Sequence, residues 1–196
     1  MSVKCLIYCS KAKPYLYKTN FVKLEDIKKG YLDKLVYEID KDERLYLNGD
    51  KRENLNGKIV AEIEIDKVEE IILNGDEIKC KYGTRSLFSI EEESCLTFDE
   101  LDYYLNVDKP YGYALHLTNL NVFDRPLSFD KDYIYKDYKT NELIEKAPQN
   151  MCNVYDRFGN HYILISIKPK WVAKILNGEK TIEVRKQIIN VLKELI

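Results

Sequence analysis

The feature that most constrains this chain is a long alternating run that begins at Gly57. In Lys58-Ile59-Val60-Ala61-Glu62-Ile63-Glu64-Ile65-Asp66, the residues Ile59, Ala61, Ile63 and Ile65 fall at every second position, with Glu62 and Glu64 between them. A period of two places such residues on one face of a strand, and that face must be buried against something. Val68-Glu69-Glu70-Ile71-Ile72-Leu73 carries the strand toward an Asn74-Gly75 turn, and Ile78-Lys79-Cys80-Lys81-Tyr82 reads as its hairpin partner.

Other segments fit around that strand. Val3 to Cys9 is a short apolar run of strand formers, ended by the loop Ser10-Lys11-Ala12-Lys13-Pro14. Residues from about 20 to 56 are highly charged and read as a peripheral insertion. Within it Leu24 to Ile27 and Leu32 to Val36 offer a short helix, Leu45-Tyr46-Leu47 a strand, and Asn48-Gly49-Asp50 a turn. Thr97 with Glu100 three residues on has capping-box spacing, and Phe98, Leu101 and Leu105 then share one helical face. Tyr113 to Phe123 reads as strand, stopped by Asp124-Arg125-Pro126. Residues 127–150 read as loop with one short helix, Met151 to Tyr155 as strand, and Asp156 to Asn160 as a turn or linker. Beyond a strand at Tyr162 to Ile167, Pro169 suits the first turn of a helix whose apolar face is Trp171, Val172, Ile175 and Leu176, and Asn177-Gly178 ends it. Thr181 to Arg185 returns to strand, and Ile188 to Ile196 has helical spacing. Strands dominate with a few helices around them: an α+β domain or β-barrel.

With 196 residues there is room for one domain, and 45% hydrophobic residues suffice for a core. The formal net charge of −2 argues against a grip on long duplex nucleic acid through many phosphates, so any such contact must come from a local basic patch. Five cysteines without C-x-x-C spacing, and the lack of a secretory segment, read as reduced thiols in a cytoplasmic protein. With only His116 and His161 beside them, no metal site and no cofactor are expected. No apolar run reaches the roughly 18 residues of a membrane span. Most of the sixteen tyrosines read as strand residues rather than base-stacking surfaces.

Ile165-Ser166-Ile167-Lys168-Pro169-Lys170-Trp171, followed by Ile175-Leu176-Asn177-Gly178-Glu179-Lys180-Thr181-Ile182-Glu183-Val184-Arg185-Lys186, strongly resembles the signature of the ASCH domain family, of the PUA-like group. Its G-x-K-x-x-E-x-R core is Gly178, Lys180, Glu183 and Arg185. The segments around Cys5 to Lys11, Gly57 to Glu62, Cys95 to Phe98, Tyr111 to Leu117, Phe123 to Pro126 and Ala147 to Cys152 resemble the same family, in the form common in phage and Gram-positive genomes. The resemblance implies a PUA-like β-barrel with flanking helices. Those relatives begin with the signature, whereas here it follows the segment that should close the domain. Either the order is circularly permuted or the chain is a fragment of a tandem array, and the single copy of every segment favours permutation. The expected organisation is one domain over 1–196. Its body is 1–155, a joining linker 156–161, the signature 162–186 and a helical tail 187–196.

The resemblance also implies a positively lined cleft that receives RNA, a nucleotide, a phosphate or a base. Arg185 would hold a phosphate bidentately, Lys180 would act as a point charge, and Glu183 would orient either; on residue type alone the three read equally as a surface salt-bridge cluster. Thr181, Ser10, Lys11, Ser166 and Lys168 are further candidates; Ser10 and Lys11 follow the strand expected beside the signature. Some ASCH-like proteins resemble amidohydrolases on acetylated nucleosides, using a lysine and a threonine of the signature plus a distant glutamate. The lysine falls at Lys180, but the threonine position holds Glu183. Thr181 lies two residues earlier, about 7 Å along a strand, and the glutamate position falls near Ser94, beside Glu93. Ribonuclease chemistry would need an acid–base pair that the sequence does not single out, and His116 and Trp171 read as packing residues. Three classes follow: an RNA- or nucleotide-binding module, a phage-type protein-interaction factor favoured by the acidic balance and the charged insertion, and a nucleoside hydrolase or ribonuclease.

Overall fold

The computed structural model describes residues 2–11, 37–39, 45–47, 54–74, 77–80, 83–105, 111–129 and 135–196. In chain order the first strands are β1 (Val3–Cys9), β2 (Tyr37–Ile39), β3 (Leu45–Leu47), β4 (Lys58–Asn74), β5 (Glu77–Cys80) and β6 (Gly83–Ser86). Helices α1 (Leu87–Ser94) and α2 (Phe98–Leu105) precede β7 (Tyr111–Ser128), β8 (Lys136–Asp137), β9 (Met151–Tyr155) and β10 (His161–Ile167). Helix α3 (Pro169–Leu176), β11 (Ile182–Arg185) and α4 (Asn190–Lys193) complete the chain. The architecture is α+β around one large sheet of order β11-β7-β4-β1-β10-β9-β8. Strands β5 and β6 continue from β4, and β2 pairs with β3 separately, against α3. The hydrogen-bonded path is open, from β11 to β8, among the described residues.

Strand β1 is central, antiparallel to β4 and parallel to β10, with Cys5 opposite Ile163 and Cys9 opposite Ile167. Its continuous apolar run is explained by burial on both faces. Cys5, Ile7 and Cys9 enter one core cluster with Ile163, Ile165 and Ile167, while Leu6 and Tyr8 enter another with Leu164 and Val154. Burial pushes the thiols of Cys5 and Cys9 far up. The strand expected beside the signature does neighbour it. Strand β4 is a single strand of 17 residues whose alternation slips where β-bulges shift its register with β7, between Ile59 and Ala61, Glu62 and Glu64, and Ile65 and Lys67. The last of these leaves the extra residue on β4 itself and turns its following side chains to the other face. Val68 therefore still packs with Ile63 and Ile65, whereas Ile71 and Leu73 join the cluster under α1 and α2.

Strand β7 corrects one expectation: it runs through Asp124-Arg125-Pro126 to Ser128. Its register with β4 jumps from Val122–Ala61 to Leu127–Ile59, so Pro126 falls in the looped-out part where no ladder N–H is needed. Helix α2 has the predicted capping box: Glu100 N donates to Thr97 Oγ1 at 3.3 Å and Thr97 N to Glu100 Oε2 at 3.1 Å. Leu101 and Leu105 are buried, but Phe98, on the first turn, is exposed. At Gly112 a Cβ would sit 2.5 Å from Leu105 Cδ2 and 3.2 Å from Arg185 O, so this glycine lets α2, β7 and β11 close together.

Helix α3 seats Val172, Ala173, Ile175 and Leu176 on the main cluster; a fully buried Val, Ile or Leu contributes roughly 2 kcal/mol. Gly178 (φ +74°) ends α3 in a Schellman arrangement, with Glu179 N donating to Lys174 O at 2.8 Å and Gly178 N to Ile175 O at 2.9 Å. Asp156 to Asn160 is a tight hairpin turn between β9 and β10: Asp156 Oδ1 accepts from Phe158 N and Asn160 N, and Gly159 adopts φ +83°.

The helical tail is shorter than its spacing suggests. Only Asn190–Lys193 is helical, while Ile188 and Ile189 pack on the core in extended backbone before it. Between 135 and 150 the chain is turns around β8, without the expected helix. The expected helix at 24–36 and the turns at 48–50 and 75 lie outside the described residues. Both ends of the chain rest on β4: Ser2 Oγ donates to Glu64 Oε2 at 2.8 Å, and Leu195 O accepts from Val68 N at 3.3 Å. Among the described residues no helix is long and apolar enough to cross a membrane.

Candidate functional site

The Schellman turn at Gly178 reverses the chain so that Lys180 and β11 lie against the end of α1. Lys180 Nζ donates to Ser94 O at 2.6 Å, and Thr181 N donates to Glu93 O at 2.9 Å. An ammonium on the last carbonyls of a helix satisfies an orphan acceptor and complements the negative end of the helix dipole. Lys180 therefore has a plain structural role. It is also the most buried charge of the signature, 3% exposed, and desolvation lowers its pKa against the opposing pull of Glu183.

Strand β11 pairs with β7 so that Glu183 stands opposite Leu115 and Arg185 opposite Tyr113. Glu183 lies between the two cations, its Oε2 3.3 Å from Lys180 Nζ and its Oε1 3.0 Å from Arg185 Nε. That Nε is off the hydrogen-bonding direction, so the second contact is an ion pair only. The guanidinium then reaches across the molecule: Nη1 donates to Asn150 Oδ1 at 2.9 Å and Nη2 to Ser166 O at 2.9 Å. Arg185 thereby ties β11 to the entry of β9 and to β10, which no ladder joins to it.

The three signature charges are thus a buried network, neither a surface cluster nor the exposed lining of a wide cleft. Both cations are engaged, yet two positive groups share one carboxylate, and their remaining partners are neutral oxygens. Beside them is a shallow depression of about 130 Å³. Gly178, Lys180 and Thr181 form one side, Thr118 and Asn119 the other, with Ile63 and Ile175 below. Thr181 is exposed there, and its hydroxyl makes no hydrogen bond among the described residues.

Of the other candidates, Ser166 joins the network through its carbonyl. Ser10, Lys11 and Lys168 stand at the neighbouring end of β1 and β10, where Ser10 N donates to Ile167 O at 2.9 Å. Lys11 lies over Gly57, and Lys168 is the exposed N-cap residue of α3. Trp171 packs on the core edge but stays half-exposed, with Lys170 Nζ 4.1 Å and Lys180 Nζ 5.3 Å from its ring centre. His116 is more than packing: its Nε2 lies 2.7 Å from Glu69 Oε2, which also pairs with Lys67.

Three partners were not legible. The Ser94 and Ser166 acceptors are backbone carbonyls, which carry no residue signal. Asn150 belongs to the resembling segment Ala147 to Cys152, but nothing in its spacing points at Arg185. Among the described residues no three His, Cys, Asp or Glu side chains are placed to hold a metal. No protein-family model, no curated protein and no solved structure matches the chain.

Proposed function

We propose that this chain is an RNA- or nucleotide-binding module of the ASCH-type, PUA-like barrel group, permuted in order. The observation that carries the reading is the unbalanced charge of the signature: two nearly buried cations against one carboxylate, beside a small, mainly apolar depression that Lys180 and Thr181 help to line. An excess positive charge in a poorly solvated place attracts an anionic or electron-rich group more strongly than a surface lysine does. The depression holds a phosphate or the edge of one base, and the Thr181 hydroxyl is suited to hydrogen-bond it, while Thr118 and Asn119 already donate to Glu64. The permuted order is supported by the docking of the signature onto its own chain, through β10 with β1 and β11 with β7. The long, bulged β4 and β7 and the Arg185 bridge fit a sheet curling toward closure. Cytoplasmic residence fits this reading.

A protein-interaction role has a separate support. Helix α2 and the start of β7 present Phe98, Tyr103, Tyr104 and Tyr111 to solvent, with Tyr103 87% exposed. Aromatic side chains of this kind are favoured interface anchors. Hydrolysis has less: Thr181 meets Glu93 through the backbone, and among the described residues no base is placed on its hydroxyl.

The test is binding of labelled single- and double-stranded RNA and of nucleoside monophosphates at low and moderate salt. Beside the native chain it uses Thr181→Tyr, which fills the depression from an exposed position, and Lys180→Met. Binding that weakens with salt and is lost at least tenfold in Thr181→Tyr is expected. A native chain that binds none of these ligands sinks the reading and turns attention to the α2 aromatics.

A further inference from the structure

The β8 end of the sheet, its outer side covered by residues 142–144, carries a second set of side chains that the signature does not involve. Strand pairing sets Lys136 of β8 opposite Tyr155 of β9, and Tyr155 opposite His161 of β10, so the three lie in a row on one face. Tyr138, just past β8, stacks on Tyr155 with ring centres 5.1 Å apart and lies tilted against His161 at 4.8 Å. The Tyr138 ring is 47% exposed. Next to it, the β9–β10 turn holds Phe158 out at 70% exposure, with the Arg157 guanidinium 4.7 Å from its ring centre. Between the turn and β8 lies an open hollow of about 620 Å³, lined by Lys136, Asn141, Tyr155, Asp156, Arg157 and Gly159.

Asp156 lines this hollow and Asp137 lies next to Lys136 in the chain, and both carboxylates are held by turn donors. Asp156 accepts from Phe158 N, Asn160 N and Asn160 Nδ2, and Asp137 accepts from Lys139 N and Thr140 N. Lys136 makes no ion pair among the described residues and is exposed. The edge therefore offers one stacked ring pair with His161 tilted against it, a further exposed ring a turn away, and cations beside both. Exposed rings accept any base through its π-face, and nearby cations follow the phosphates.

We propose that this β8–β9 edge binds a single strand of nucleic acid, with one base on the Tyr138–Tyr155–His161 stack, a second on Phe158, and the intervening phosphate beside Lys136 and Arg157. The site stands whether or not the signature depression binds a nucleotide.

Anisotropy of a fluorescein-labelled oligouridine tests it, using the full chain, the exposed-surface variants Tyr138→Ala/Phe158→Ala and Lys136→Glu, and Thr181→Tyr as a control at the other site. The aromatic double variant should bind about tenfold or more weakly, and Lys136→Glu should bind more weakly with a shallower salt dependence. Both should keep the native far-ultraviolet dichroism and melting curve. Thr181→Tyr should leave this edge's share of the binding unchanged. Failure of the native chain to bind the strand, native affinity in both edge variants, or binding of free uridine monophosphate as tight as the strand would each overturn the proposal.

Discussion

Substituting Glu183 by Gln leaves Lys180 and Arg185 buried together with no counter-charge, whereas Lys180→Met leaves a neutral carbonyl, Ser94 O, without its donor. Stranding a buried charge costs about 3–5 kcal/mol. An unsatisfied buried acceptor costs about 1–3 kcal/mol. Glu183→Gln is therefore expected to destabilise more than Lys180→Met, and urea unfolding of the two variants at neutral pH measures the order directly. The reverse order would mean that capping α1, rather than balancing charge, is what the cluster does for the fold. The signature residues themselves were legible because their spacing is a motif. Their burial was not, since that depends on α1, which three consecutive glutamates concealed among the charged stretches. The aromatic edge was hidden differently. Tyr138 and Tyr155 are two tyrosines among sixteen, and only the pairing of β8, β9 and β10 puts them together.

Single elements were read well where one physical rule dominates. The capping box set the start of α2, and Pro169 with Gly178 bounded α3. Gly178 offers a clean check, because a Cβ there would touch nothing within 4 Å while its φ of +74° disfavours any side chain. Gly178→Ala should cost about 1 kcal/mol through the backbone alone, and Gly178→Asn less, since asparagine tolerates this conformation. Chemical-denaturant midpoints with unchanged slopes would bear this out. A loss several times larger would show that the turn needs more than conformational freedom. The rules failed where two strands disagree in length. Pro126 reads as a stop in any local window, yet the bulge against β4 removes the need for its missing N–H. The alternation of β4 likewise loses its phase after Ile65 because a bulge against β7 puts an extra residue into the strand, and no local pattern announces that.

At the scale of the molecule, β1 is the central strand of the sheet, and its parallel partner β10 comes from the opposite end of the chain. Nothing at the centre of the sheet can be completed until the last quarter of the sequence has been made. Parallel pairing of such distant segments closes a very long loop, which slows folding more than it weakens the folded state. Yet Ser2 and Leu195 both sit on β4, at Glu64 and Val68, about 13 Å apart along the strand. A chain opened within the Asp156–Asn160 turn, with its present ends joined by a flexible linker, should keep the same sheet while bringing β10 ahead of β1. Stopped-flow refolding should show this reordered chain folding faster than the original, at similar stability. Equal or slower refolding would place the rate-limiting contact elsewhere. Order of synthesis then becomes a property that can change while the shape stays fixed: in the present arrangement the emerging chain must hold β1's two apolar faces in waiting, and its exposure to wrong partners lasts as long as its own translation.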